Sequence, residues 1–298
     1  MSTTVPATAT HVLHVGASQP FDFVQTLGFL GRFPAMTGEQ GLTSTSLCCA
    51  VRTGSVLAGV RIEAEQDGLR YELSCAQGLD QAAVETITDQ LSFFLGTDDD
   101  VAAFYALAAE DPPFQAVIRR LHGYHQVKFP SPLELLVWAI LAQRIPRPVA
   151  RTMKRAIVGH FDNRVQLDGE ERWAFPDVEQ LLTLDVEDYV ELITNRRKAG
   201  YLAGAVRGWA QLDEAFLRQG DEQAVREQLL ALPGIGPWSS TFLMIRGLGR
   251  MGTLSPDKEG KRAASRVYGH PVEDAEFTRL ADRYGPWKGY WGHYLRAG

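Results

Sequence analysis

The stretch LALPGIGPWSSTFLMIRGLG, residues 230 to 249, allows few folds. Apolar residues at helical spacing run up to PGIG and resume directly after it, so a helix stops, turns and restarts within about four residues. The spacing predicts one helix over EQAVREQLLAL, a turn at PGIG and a second helix over PWSSTFLMIRGL. Gly234 and Gly236 supply conformations closed to most residues and remove the Cβ atoms that would hold a ligand off the backbone. Amides near Gly234, Gly236 and Trp238 then stand free at a helix start, a place suited to a phosphate. Carbonyls of the same turn could hold a structural monovalent cation between protein and phosphate. A tight αα-hairpin with nothing bound would use the same turn, so the remaining chain has to decide.

Residues 11–96 read differently from the rest. HVLHV, LTSTSLCCAVRT, SVLAGVRIEAE and LRYELSCA are short β-prone runs broken by Gly, Asp or Ser. PFDFVQTLGFLGRF and LDQAAVETITDQLSFFLG carry apolar residues at helical spacing. Together they predict an α+β domain with an antiparallel sheet, preceded by a polar, disordered tail over 1–10. An acidic joint, TDDD at 97–100, leads into a mostly α-helical body over 97–298. Its helices are expected at 101–109, 114–122, 132–142, 147–160, 177–184, 187–194, 198–218, 222–232, 237–247 and 275–284. In PSPLELLVWAILAQ, Ser131 is the cap, Pro132 the first helical residue and Glu134 the closing member of a capping box.

The chain has 298 residues, 45% of them hydrophobic, enough to bury a sizeable core in two domains. A net charge of −6 excludes a global basic field, so any polyanion would have to meet a local one. Cys48, Cys49 and Cys75 form no C-x-x-C pattern, and His122, His125 and His160 have no metal-ligand spacing. Buried reduced thiols, no disulfide and no metal are expected. The amino terminus has no secretory pattern and no run of 18 apolar residues occurs, so a soluble, cytoplasmic protein without a membrane partner is expected.

About twenty residues after the hairpin, LSPDKEGKRAASRVYG sets a carboxylate, Asp257, before a basic helical segment. Helix, L-P-G-I-G-x-W, helix, loop with Asp and R-x-x-x-R, in this order, resemble the helix-hairpin-helix DNA glycosylases, and most of all the 3-methyladenine DNA glycosylase II (AlkA-type) branch. The likeness covers nearly the whole chain. The amino domain resembles that branch's sheet domain, LELLVWAILAQRI its helix leading to the intercalating loop, and LADRYGPWKGYWGHYL its last helix. It implies a helical body in two halves, about 125–235 and 97–124 plus 236–298, enclosing a base pocket.

What the resemblance implies for single residues follows the chemistry of base removal. A base must be flipped from the duplex at a cost of a few kcal/mol, recovered by stacking and hydrogen bonds. Trp238 and Phe242, four apart on one helix face, match the positions that line the base pocket. As plain core residues they would look the same. Another aromatic is usual in the last helix; its place falls on Arg296 here, with Tyr290, Trp291 and Tyr294 close by and Trp291 and Tyr294 taken as pocket residues. Asp257, eleven residues before Tyr268, matches the catalytic aspartate, whereas counting forward from Trp238 reaches Lys258; Asp257 is preferred. Its charge would stabilise the sugar cation and assist water. Glycosylases that also cut the backbone carry a lysine where this chain has Trp238, so a monofunctional enzyme without cofactor is implied.

Gln143, Arg144 and Ile145 end the helix that leads to the wedge, and either Arg144 or Ile145 fills the vacated stack. Arg144, Arg147, Arg151, Lys154 and Arg155, with Arg196, Arg197 and Lys198 and with Lys261, Arg262 and Arg266, could form a phosphate-facing patch, though each run alone reads as solvated surface. The expectation is a monomeric enzyme of base-excision repair, nucleoid-associated if bacterial, acting on alkylated purines in double-stranded DNA. The rival of the same fold is a catalytically inactive binder of damaged DNA. Trp238 and the absence of cluster cysteines disfavour a lyase for oxidised bases, and a helix-hairpin-helix scaffold would not require the loop carboxylate.

Overall fold

The computed structural model describes residues 9–36 and 38–298. Among these residues the strands are β1 (Ala9–Gly16), β2 (Gly41–Leu42), β3 (Ser46–Thr53), β4 (Val56–Glu65), β5 (Gly68–Cys75), β6 (Arg164–Leu167) and β7 (Glu170–Trp173). The expected tail over 1–10 lies outside the described residues except for its last two, which open β1. The first five strands form an antiparallel sheet in the order β1-β5-β4-β3-β2. Strand β5 shows why one face is buried: Leu69, Tyr71, Leu73 and Cys75 point into the core while Arg70, Glu72 and Ser74 alternate with them. Helices α1 (Phe23–Leu30) and α2 (Gln81–Leu95) belong to this α+β unit, capped by Asp22 and Asp80. All three cysteines are free and buried. Burial pushes the Cys48 thiol up to about 11 and Cys49 to about 12.

The helical part comprises α3 (Val101–Ala108), α4 (Gln115–Arg120), α5 (Pro132–Leu141), α6 (Arg147–His160), α7 (Val178–Leu182), α8 (Val186–Ile193), α9 (Arg196–Trp209) and α10 (Glu214–Gln219). It continues through α11 (Glu222–Leu230), α12 (Pro237–Phe242), α13 (Lys258–Tyr268), α14 (Asp274–Asp282) and α15 (Lys288–Ala297). The single helix expected over 198–218 is two. Asp213 accepts hydrogen bonds from the amides of Ala215 and Phe216 and so starts α10 afresh.

Helix α5 is apolar on all sides and every one of its residues is buried, which makes it the axis of the body. Ser131 caps it as expected, accepting from the Leu133 amide, and Pro132 is its first residue. The capping box does not form. Glu134 is taken instead by Lys154, whose buried ammonium lies 2.6 Å from Glu134 and 2.6 Å from Glu39 and donates to the Ala35 carbonyl. Two carboxylates around one buried cation outweigh a cap, because the cation would otherwise stand unpaired in the interior.

A hairpin that sequence reading left unassigned, β6–β7, packs on β3 and β4. Its turn residues, Asp168 (φ 57°) and Gly169 (φ 78°), are left-handed, as a two-residue D-G hairpin turn requires. The signal was therefore present in RVQLDGEERW. Asp168 accepts from Arg61 and Cys48, and Arg52 pairs with Asp177 at 2.7 Å, so the hairpin fastens the helical part to the sheet. Among the described residues no helix is long and apolar enough to cross a membrane.

Candidate active site

The turn between α11 and α12 is built as the glycines demand at one position only. Gly234 has φ +82°, and a Cβ there would lie 2.9 Å from the Tyr201 ring. Gly236 is extended (φ −106°, ψ −178°), a conformation open to any residue, so its expected strain is absent. A Cβ at Gly236 would meet nothing within 4 Å; its absence leaves the backbone approachable. The Gly234 carbonyl accepts from the Gln143 side chain at 2.7 Å. Gln143 thus braces the hairpin against the end of α5. Lys198 closes that end, donating to the carbonyls of Ile140 (2.7 Å) and Gln143 (2.9 Å).

Beyond Gln143, Arg144 is exposed and adopts φ +55°, a left-handed backbone uncommon outside glycine. Ile145 is half-buried and packed against the core. Of the two wedge candidates, Arg144 projects outward. The adjoining Arg147 lies 3.7 Å from Glu259 at the start of α13, and Ser255 lies 3.3 Å from Thr241 on α12. These contacts bring the start of α6 to α13, and the helix after the hairpin to the loop before α13.

Asp257 is the N-cap of α13. Its Oδ1 accepts from the Gly260 amide at 2.6 Å and its Oδ2 from Arg296 Nη2 at 2.7 Å. Arg296 also donates to the Gly292 carbonyl, so the guanidinium is held from both sides. Lys258, one residue on, is exposed on the first turn of α13. Lysine and aspartate are therefore not interchangeable here: the residue facing Arg296 is the acid.

Trp238 is 55% exposed, the largest apolar side chain so placed among the described residues, and the Phe242 ring lies tilted against it, 5.1 Å between centroids. Phe242 meets Phe129 edge-on at 6.0 Å, and Phe129 meets Phe33 at 5.5 Å. An aromatic row thus runs from the hairpin to the end of α1. Trp291 and Tyr294, expected beside this wall, are fully buried instead. Trp291 packs on Phe277 and Tyr284 and donates to the Tyr268 hydroxyl; the Tyr294 hydroxyl is within reach of Tyr105 and the carbonyls of Leu121 and Tyr124. They bind α15 to the body because its inward face must fill the core.

The basic patch is smaller than the sequence suggested. Lys154 and Lys198 are buried, Arg196 is forked onto Glu187 and Lys261 pairs with Asp274. Arg144, Arg147, Arg155, Arg197, Arg262 and Arg266 remain exposed. A cavity of about 1040 Å³ lies elsewhere, between the sheet unit and α6, and neither Trp238 nor Asp257 lines it. Sequence reading missed Phe33 and Phe129 as members of the aromatic row, and nothing in their local pattern marks them. It noted Arg296 as the misfit in the last helix, which was the available clue to the partner of Asp257.

No protein-family model matches the chain. In sequence it is similar to the DNA-3-methyladenine glycosylase of Bacillus subtilis, 25% identical over 230 residues and 75% of either chain. It is also similar to the probable bifunctional transcriptional activator/DNA repair enzyme AlkA of Mycobacterium tuberculosis, 28% identical over 211 residues, 70% of this chain and 42% of that longer protein. In fold it is similar to the 3-methyladenine DNA-glycosylase from Archaeoglobus fulgidus, with a TM-score of 0.78 at 21% identity over 96% of this chain and 97% of that one. The chain is thus similar in sequence along 75% of its length, and in fold along 96%, to DNA glycosylases of the 3-methyladenine type.

Proposed function

We propose that the protein is a monofunctional DNA glycosylase that hydrolyses the N-glycosidic bond of alkylated bases, 3-methyladenine-like purines, in duplex DNA during base-excision repair. The observation that carries this reading is Asp257, oriented by Arg296 and the α13 cap on a loop whose Ser255 meets Thr241 of the helix that bears Trp238 and Phe242. A flipped base stacks on that wall, and a cationic base gains from the aromatic faces. As the bond between base and sugar breaks, its electron pair leaves with the base. The Asp257 carboxylate stabilises the positive charge left on the sugar, and water adds to the sugar carbon and loses one proton to solvent, leaving the sugar hydroxyl.

The exposed arginines meet the phosphates, the hairpin amides take one phosphate, and a monovalent cation on the turn carbonyls is structural rather than catalytic. Arg144 fills the stack that the base vacates. The enzyme works as a cytoplasmic monomer and needs no cofactor. The test is release of free base from a methylated duplex, leaving an abasic strand that breaks only on alkali treatment. Tight binding of the damaged duplex without base release would instead favour the inactive binder.

A further inference from the structure

Arg144 leaves the end of α5 with φ +55°, a backbone that glycine adopts freely and that a Cβ disfavours. Its side chain is exposed, so packing of that side chain does not hold it there. Such strain persists only where the surroundings impose it.

What imposes it is a pair of clamps on Gln143. Lys198, on the first turn of α9 and only 8% exposed, donates through Nζ to the carbonyls of Ile140 at 2.7 Å and Gln143 at 2.9 Å. The second carbonyl belongs to the peptide that joins Gln143 to Arg144, so the ammonium fixes the plane from which Arg144 departs. The Gln143 side chain donates to the Gly234 carbonyl at 2.7 Å and ties the same residue to the hairpin. On the far side Ile145 packs on the core, and the Pro146 carbonyl accepts from the Ala150 amide to start α6. Arg144 is the exposed residue between these fixed points. Merely ending α5 would not require this arrangement, since glycine at position 144 would end it without strain and without a lysine behind it. Burial and the adjoining Arg197 both lower the Lys198 pKa, and no carboxylate offsets them among the described residues. A buried cation that serves only two carbonyls, behind a strained arginine, is accounted for if the Arg144 side chain must point one way.

We propose that Lys198 is a positioning residue for base flipping: it holds the Gln143–Arg144 peptide so that Arg144 is presented, before DNA binds, in the orientation that enters the vacated stack. This rests on the glycosylase reading above, with Arg144 as the wedge. Without the ammonium, the backbone at Arg144 relaxes to the ordinary right-handed and extended regions. Only the minor left-handed fraction then inserts, and base extrusion slows in proportion.

The test is a double-mutant cycle read by single-turnover release of 3-methyladenine from duplex DNA. Lys198→Met keeps an apolar stem in the same space and should slow release about 10-fold, the factor by which a left-handed backbone is disfavoured outside glycine. The fluorescence rise of 2-aminopurine beside the lesion, which reports unstacking, should slow by the same factor. In the Arg144→Ala background no wedge is left to position, so the same substitution should slow release by less than about 2-fold. Equal losses in both backgrounds would show that Lys198 serves packing, and they overturn the proposal. Slower release with unchanged unstacking places Lys198 in the chemical step and overturns it too, as does undiminished release by Arg144→Ala alone. Should Lys198→Met fail to fold, Lys198→Gln takes its place in the cycle. Glutamine can keep one of the two hydrogen bonds, so a loss of about 3-fold is expected while Arg144 is present. An equal effect of Lys198→Gln in both backgrounds again overturns the proposal. Wild-type protein that releases no base from any damaged duplex overturns the glycosylase reading, and this proposal with it.

Discussion

Arg296, from the last helix, donates through Nη2 to Asp257 Oδ2 at 2.7 Å across 39 residues of sequence. The side chains are only 29% and 26% exposed, so the pair is shielded from most solvent screening. With Oδ1 held by the Gly260 amide, the carboxylate has one orientation.

Replacing Asp257 by Asn keeps the shape and the cap but removes the charge. Base release should fall about 10²–10³-fold, as for loss of a preorganised electrostatic group, while damaged-duplex binding persists. Single-turnover release and gel-shift affinity measured together check this. Undiminished release by the variant would remove Asp257 from the mechanism.

In the proposed reaction Arg296 acts as a positioning residue for Asp257. Arg296→Leu should leave damaged-duplex affinity within a few-fold and lower the single-turnover rate by about 10–100-fold, since a carboxylate misplaced by an ångström costs that order. Arg296→Lys, which keeps charge but not the fork, should recover part of the rate. A variant that loses affinity and keeps its rate would place Arg296 on the DNA instead.

Trp238→Ala should weaken binding of damaged duplex by about 1–3 kcal/mol, the size of base–aromatic stacking, and barely alter undamaged-duplex affinity. Because Trp238 is 55% exposed, the melting temperature should hardly move. A large drop in melting temperature would show that the side chain serves packing.

The two hairpin glycines should separate stability from binding. Gly234→Ala must hold φ +82° against the Tyr201 ring, costing about 1–2 kcal/mol of stability. Gly236→Ala meets open space, so it should leave stability intact and weaken damaged and undamaged duplexes alike, phosphate contacts being blind to the base. Thermal melts and salt-controlled binding distinguish the two; a selective loss for damaged duplex at Gly236 would argue against a phosphate site.

Burial, together with Arg246, Arg296 and Lys128, holds His293 well below the ordinary imidazole range. Above about pH 6.5 it is neutral in both folded and unfolded chains and has no effect on the pH dependence. Below that, the unfolded chain takes up a proton that the folded chain refuses, so stability falls by about 1.4 kcal/mol per pH unit until the folded value is reached. His293→Gln, which can still meet Tyr124, should lose less stability between pH 7.5 and 5.5 than wild type in denaturant melts. Identical losses would mean that the imidazole titrates alike in both states.

The order of elements was legible because its signals are local. The PGIG turn, the Ser131 cap and the β-prone run LRYELSCA each act within a few residues, and the structure has the turn, the cap and a strand there. So was the pairing of Trp238 with Phe242, fixed by helical spacing alone. The pocket's other members were not. In KGYWGHYLRA aromatics occupy most of the turn, so nothing local says which face meets the core; only packing on Phe277 and Tyr284 buried Trp291. Charge runs misled for the same reason. Lys154 and Lys198 look solvated until Glu39, Glu134 and the open end of α5 are brought to them from distant parts of the chain. The carboxylate on Asp257 was visible in the sequence, whereas the guanidinium that aims it comes from 39 residues away. Backbone conformation answers to near neighbours, while the pairing of buried charges is decided only when the chain has folded and water has left them no other partner.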